Sequence, residues 1–432
     1  MRFRSLARRV DDAPWSRPLA VIVVALLAGL GLSQIRTRRG SVFDQAAFGG
    51  DATAARELLA TVAGTMTTVT SLVFGLTVVA LQLASTQYSP RLLRSFIRDR
   101  GTQLVLGTFV GTVAYSLAGL HGVGHGGDVP RLAVSGSLAL ALLSLCMLVY
   151  YIGHVLDEIR VDAIMVRVER ATLRIIERDH PIVNSGDPDT GPAPSMPPNV
   201  ATVGARRAGY VQGVDESALM RVAARHRLTV RLIPLLGYHV VPGEPLAVIG
   251  WDGFIGRPAD PVLRAVADAV ELAPERLVER DVGLGIRQLV DISSRGMSTS
   301  HNDAYTAVQA VHHLATVLTD ASRRSFQPRV FTDATGAARA YLPVMDFPTH
   351  LKVVCAHVRQ AGLDRHPRVR LELLRLLGKV GAQCVGERRL AAVQREFDVV
   401  LTDARRILAP GPGVDLDEVE ETASRAQEAL RR

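Results

Sequence analysis

Lysine is nearly missing from this chain: Lys352 and Lys379 are the only lysines among 50 basic residues, and arginine supplies the rest. The resulting net charge of +8 is scattered, and with aromatics at 5% no stacking platform interleaves the arginines. Nucleic acid is therefore not an expected partner. Cysteine is scarce as well. Cys146, Cys355 and Cys384 lie far apart with no C-x-x-C spacing, which argues against a disulfide framework or a zinc site and suits a reducing compartment.

Motifs that carry chemistry are lacking too. There is no phosphate-binding loop, no complete dinucleotide fingerprint and no G-x-S-x-G elbow. "GVGHGG" and "DVGLGIRQ" have glycines without the preceding strand and acidic partner such loops need. Asp157 and Glu158 are sequence neighbours and point apart on a helix, as do His312 and His313. His121, His125 and Asp128 sit among glycines in what reads as a plain loop, not as helix-spaced ligands. The expectation is a protein that is not an enzyme and holds no metal and no cofactor.

What the chain has in quantity is apolar sequence, at 48% of residues, concentrated before residue 155. Four stretches, 18–35, 58–86, 103–120 and 132–154, can each cross a hydrocarbon core of about 30 Å, which takes around 20 residues. The first follows a basic start as a signal peptide does, but it is long, lacks an A-x-A site and is followed by more spans, so a retained helix is expected. Orientation follows from arginine placement. Arg2, Arg4, Arg8 and Arg9 precede the first span, Arg91, Arg94, Arg98 and Arg100 follow the second, and Arg160, Arg167 and Arg170 follow the fourth. The connection between the third and fourth has only Arg131; Arg36, Arg38 and Arg39 go against the pattern. Both termini are expected inside, with the lipid bilayer as the first partner.

The second span carries an unusual polar set. Thr61, Thr65, Thr68, Ser71, Gly75, Gln82 and Thr86 are separated by steps of three, four and seven and fall on or near one side of a helix. Two readings stay open. Small and hydroxylated residues let helices approach closely; alternatively, an uncharged polar lining faces a symmetric pore. The basic cluster Arg91, Arg94, Arg98 and Arg100 would then sit at the inner mouth, a ring of Arg91 and Arg94 from several protomers favouring anions; otherwise its arginines meet anionic headgroups. "SPRLLRSFIRDR" itself reads as a short amphipathic helix along the inner interface, with Ser89–Pro90 as its start.

Beyond residue 154 the composition becomes that of a soluble domain. The helical pattern runs on out of the fourth span into a connecting helix over 155–179, with the stripe Ile152, Leu156, Ile159, Ala163, Val166, Arg170 and Leu173, either docking on its own domain or joining protomers. Residues 180–199 form a Pro/Gly-rich linker with no packed core. Residues 200–256 form a β-rich module of short β-branched runs punctuated by glycine and proline. Within it "GYHVVPGEPLAVI" resembles half of a lipoyl-like barrel-sandwich module, although no lysine occurs before Lys352, which excludes a carrier role. Residues 257–432 are mostly helical: "DPVLRAVADAVELA", then "GLGIRQLVDISSRG", then a helix capped by Asn302 or Asp303. A hairpin, "RVFTDATGAARAYLPV", precedes helices near 347–361, 367–385, 387–408 and 415–430.

"MTTVTSLVFGLTVVALQLASTQYSPRLLRSFIRDRGTQLVLGTFVGT" resembles the signature of a bacterial family of predicted four-span membrane proteins, domain of unknown function 2254. "GLGIRQLVDISSRGMSTSHNDAYTAV" resembles its second hallmark, where the family tends to read Ser-Pro-Gly-x-Asn-Asp-Pro around 298–304. This chain has Thr299, Ser300 and Ala304 in place of Pro, Gly and Pro. The resemblance implies membrane location and architecture and carries no catalytic or binding residue.

The fold class expected is an α-helical membrane protein, with four transmembrane helices followed by a cytoplasmic α/β domain made of a small β-rich, barrel-sandwich-like module and a helical remainder. The function expected is a self-associating, channel or transport-like protein with a regulatory cytoplasmic domain. The alternative is a membrane-anchored binding, scaffold or sensor protein without conduction. The permeant species and any cytoplasmic ligand are not specified.

Overall fold

The computed structural model describes residues 16–34, 48–87, 100–123, 129–186, 188–189, 191, 195–252, 256–298, 302–361, 366–407 and 416–431. The basic N-terminus, Arg36, Arg38, Arg39, His125, Asp128 and most of the amphipathic segment after the second span lie outside these residues. The chain divides into two compact units, Met1–Ala163 and Ile164–Arg432.

The first unit holds four helices long and apolar enough to cross a membrane: α1 (Ser16–Gln34), α2 (Ala52–Gln87), α3 (Arg100–His121) and α4 (Arg131–Ile159). α2 starts earlier than the apolar run because Asp51 caps it, accepting from Ala54 N at 2.8 Å. α1 lies against α3 because small residues let the backbones meet. A Cβ added at Gly107 would come within 3.2 Å of Pro18 and Val21, and one at Gly111 within 3.2 Å of Ala25. From the other side, Gly29 faces the Tyr115 carbonyl and Ala118. The spacing Gly107-x-x-x-Gly111 was open to reading in the sequence.

Val62, Met66 and Val73 of α2, Val105 and Phe109 of α3 and Tyr151 of α4 form the apolar centre of this bundle. Three polar pairs join helices inside it at heptad intervals along α4, while the Tyr115 hydroxyl is buried with no hydrogen-bond partner among the described residues. Ser137 meets Ser116 at 2.8 Å and Ser144 meets Thr112 at 3.0 Å. Tyr151 meets Thr77. Each such bond is a modest fastening in lipid, about 0.6 kcal/mol on average, but an unpaired hydroxyl there would be costly. Their common spacing of seven keeps all three on one seam.

The expected continuous helix out of the fourth span is interrupted. α4 ends at Ile159, Arg160 is extended, and α5 (Val161–Asp179) starts afresh. α5 buries Met165, Val168, Thr172, Ile175 and Ile176, not the expected stripe, of which Arg170 is exposed. The buried face docks within its own unit: Thr172 lies where a Cβ of Gly285 would be, and Glu169 meets His313 Nδ1 at 2.5 Å.

The second unit continues with β1 (Asn199–Gly204), β2 (Gly209–Val214), α6 (Glu216–Arg225), β3 (Thr229–Leu232), β4 (His239–Val240), β5 (Pro245–Trp251), α7 (Asp260–Asp268), β6 (Val270–Ala273), α8 (Val282–Gly296), α9 (Ala304–Ser322), β7 (Arg329–Thr332), β8 (Ala338–Leu342), α10 (Phe347–Ala361), α11 (Pro367–Gln383), α12 (Glu387–Ile407) and α13 (Leu416–Arg431). One sheet has the order β1-β5-β3-β8-β7 and a smaller one β4-β2-β6. Pairing is antiparallel except between β3 and β8. β4 and β5 flank the Pro242–Gly243 turn yet belong to different sheets. The α6 helix, capped by Asp215 through Ala218 N, interrupts the β-rich run. "VELA", expected as the end of a helix, is strand β6, its Val270 and Leu272 facing inward.

The helices after residue 280 share a core of Leu289, Val311, Leu314, Val354, Leu373, Leu377, Val393 and Phe397, each fully buried. Asp281 caps α8, and Asp303, rather than Asn302, caps α9 by accepting from Thr306 N. Asn302 instead takes a left-handed backbone, φ 46°.

Candidate functional site

α2 has two opposed faces. Ala55, Leu59, Val62, Met66, Val73, Thr77 and Ala80 are buried, the helix packing against α3 and α4. Thr61, Thr65, Thr68, Ser71, Gly75 and Gln82, together with Gly64, lie on the opposite side, and all are exposed. At 100° per residue the two sets centre about half a turn apart. The polar stripe therefore turns away from its own bundle. Nothing lies within 4 Å of a Cβ added at Gly64 or Gly75.

The hydroxyls on this face are not idle donors. Thr65 Oγ1 donates to Thr61 O at 2.7 Å, and Thr68 Oγ1 donates to Gly64 O at 3.2 Å. Back-bonding to the preceding turn lets a threonine sit in an apolar medium while its oxygen still offers lone pairs outward. The same unit presents bulky aliphatics elsewhere: Leu19, Val24 and Leu27 on α1 and Leu142, Leu145 and Val149 on α4 are exposed. On α2 such side chains, Leu72, Phe74, Leu76 and Val79, begin only beyond Ser71. The small-residue surface is densest between Thr61 and Ser71.

Thr86 lies on α2 and Arg100 opens α3, but their side chains are outside the described residues, as are Arg91, Arg94 and Arg98 entirely. The seven stripe positions share one helix.

The second unit contains a buried charge pair that sequence reading missed. Arg389, at the start of α12, grips Asp189 with two bonds of 2.6 Å, and both side chains are fully buried. Its remaining Nη1 donates to Ser322 O at 3.0 Å. The guanidinium lies over the Phe347 and Phe326 rings, 5.0 Å and 5.8 Å from their centroids. His180 stacks on Phe326 at 4.0 Å and donates from Nδ1 to Ser325 O. The stretch expected to be a bare linker is thus pinned at His180 and Asp189, both buried.

Burial holds the imidazoles of this cluster neutral. His350, edge-on to Phe326, has its pKa lowered from 6.5 to about 4, by desolvation first and then by neighbouring His180 and Arg276 against the pull of Asp346. His180 is shifted in the same direction, also by burial. A folded pKa below the unfolded one means that unfolding takes up a proton in between. His350's contribution is thus whole above pH 6.5 and is lost as pH falls to about 4, a change of about 3 kcal/mol in unfolding free energy. Denaturant midpoints across this range should show that loss, and His350→Phe should flatten it.

The thiols are free, and burial raises both Cys355 and Cys384, the latter to about 11, so neither is a nucleophile near neutrality. Among the described residues no three His, Cys, Asp or Glu side chains converge as metal ligands would.

The family described as "Predicted membrane protein (DUF2254)" matches residues 12–379. Among curated proteins, the chain is similar to "Uncharacterized protein Mb1321c" of Mycobacterium bovis and "Uncharacterized protein Rv1290c" of Mycobacterium tuberculosis. Each is 36% identical over 439 residues, a match spanning 100% of this chain and 83% of the relative. No solved structure matches.

Proposed function

Since the chain belongs to the DUF2254 family of predicted membrane proteins, we propose that it is a bacterial inner-membrane protein that self-associates through the outward face of α2 and conducts along the axis so formed. One observation carries this reading: the glycine and hydroxyl face between Thr61 and Ser71 is turned away from the bundle, and nothing among the described residues covers it. Lipid gains little from such a face, whereas a second copy can approach closely and pair with its oxygens. Gln82, exposed on the same side, calls for a partner or water at membrane depth. The soluble unit lies on the cytoplasmic side in this reading, from the arginine distribution, with a regulatory role and no catalysis.

The mass of the detergent-purified particle and ion flux in liposomes test it together. The expected result is an oligomer whose flux falls about tenfold or more with Thr68→Leu or Ser71→Leu, since bulky apolar groups dewet a narrow lining. A monomeric particle removes both association and conduction. An oligomer with no flux in either form leaves the membrane-anchored scaffold or sensor as the better description.

A further inference from the structure

A second surface stands out in the soluble unit, on the stretch "RLIPLLGYHVVPG" between β3 and β5. Ile233 is 46% exposed, Leu236 37%, Tyr238 54% and Val241 50%. Four large apolar side chains within nine residues is a dense exposure for a surface loop. The stretch is not loose. Gly237 N donates to Val211 O, Tyr238 N to Leu235 O and Gly243 N to Ala205 O, while β4 pairs with β2 and leaves its other side as a sheet edge. Gly237 has φ 79° and faces Arg276 and Asp281 so closely that a side chain there would collide with them. The apolar groups are held outward by a folded frame.

The sequence leading into this stretch carries charge of one sign. From Ser217 to Gly243 the sequence contains no aspartate or glutamate and has Arg221, Arg225, Arg227 and Arg231. Arg231 is exposed two residues before Ile233. Arg207, whose Nη2 donates to Leu272 O at 2.8 Å, is exposed on the loop that hydrogen-bonds to the Pro242–Gly243 turn. The nearest acids are engaged: Glu244 accepts from Val241 N at 2.9 Å, and Asp281 is bridged to Arg276 at 2.7 Å.

We propose that this loop is a membrane-contact element, inserting Leu236, Tyr238 and Val241 into the headgroup region of a bilayer with anionic lipid while Arg207 and Arg231 meet the headgroup charge. Aliphatic side chains beside tyrosine, rimmed by arginine, match the interfacial region in chemistry. A protein partner of opposite charge would also meet the arginines, but the chain carries four membrane-capable helices of its own. The covalent tether therefore supplies a lipid surface at high effective concentration. The proposal is independent of self-association through α2.

The test uses the full chain in nanodiscs, with the photo-crosslinking residue p-benzoylphenylalanine replacing Tyr238 and, as the comparison site, Tyr305, which is 72% exposed. The expected result is a lipid adduct at 238 and little at 305 in bilayers containing phosphatidylglycerol. The 238 adduct should fall about fivefold with Arg231→Gln, the ratio expected for one arginine near an anionic surface. It should fall likewise in pure phosphatidylcholine. An adduct to a second copy of the chain overturns the proposal, as do equal labelling at 238 and 305 and labelling indifferent to lipid charge.

Discussion

Arg389→Met should destabilise the second unit by about 3–5 kcal/mol, because it removes the guanidinium that holds both oxygens of the buried Asp189 carboxylate. Asp189 is tied to the guanidinium by both of its oxygens, and neither side chain is exposed. The phenylalanine rings on either side offer the charge little once the cation is gone. The pair also joins parts of the chain 200 residues apart, so its loss frees the segment between α5 and β1 as well as the start of α12. The measurement is the urea midpoint of the chain in detergent, followed by the signal of the soluble unit. Arg389→Met combined with Asp189→Leu should be less destabilised than Arg389→Met alone, since the orphaned charge is removed with its partner. A double variant as damaged as the sum of the singles would show that packing, not charge, dominates the site.

The second large effect is expected in the first unit. Gly29→Val places a Cβ 2.8 Å from the Tyr115 carbonyl oxygen and 2.9 Å from the Ala118 Cβ. The obstacle is backbone and a side-chain root, so no rotamer relieves it. Overpacking of this kind costs about 1–3 kcal/mol, and α1 should pull away from α3. Two residues on, a Cβ at Gly31 meets nothing within 4 Å, so Gly31→Val is the matched control and should change thermal stability in detergent little. Equal loss from both variants would mean that propensity within α1, rather than the contact with α3, sets the outcome.

The parts of this fold legible in the sequence were those with a long, repeated signal. The four spans announce themselves because a hydrocarbon solvent demands an apolar run of fixed length, and α10 to α13 because their apolar positions repeat every three to four residues. Arg160 shows the limit. No glycine or proline marks the break, and the apolar rhythm runs on across it although the buried face shifts. β6 failed for a related reason: four residues after a helix are too few to separate a period of two from one of 3.6. Asp189 lies in a stretch whose composition reads as linker, and its partner lies too far along the chain to leave a local trace.

The stripe on α2 was readable as a face, since its spacing is a property of the helix alone. Which way that face turns was not, because direction depends on which side packs against Phe109 and Tyr151. The seam of Ser137, Ser144 and Tyr151 was hidden by the opposite circumstance. Isolated serines in an apolar run give no sign of being matched by Ser116 and Thr112 on a neighbour. Gly107 and Gly111 did leave a recognisable pair, and the bundle uses them as such pairs are used elsewhere.

The apolar portion of α2 begins after Arg56 and Glu57, and from Leu58 to Gln82 it measures about 37 Å end to end. Lipid tails cover roughly 30 Å of that. The surplus obliges the rod to lean, or to push its ends past the acyl boundary, and the amount depends on how thick the surrounding leaflets are. Changing acyl-chain length is then a mechanical input to this helix, one that alters its slope without any solute binding.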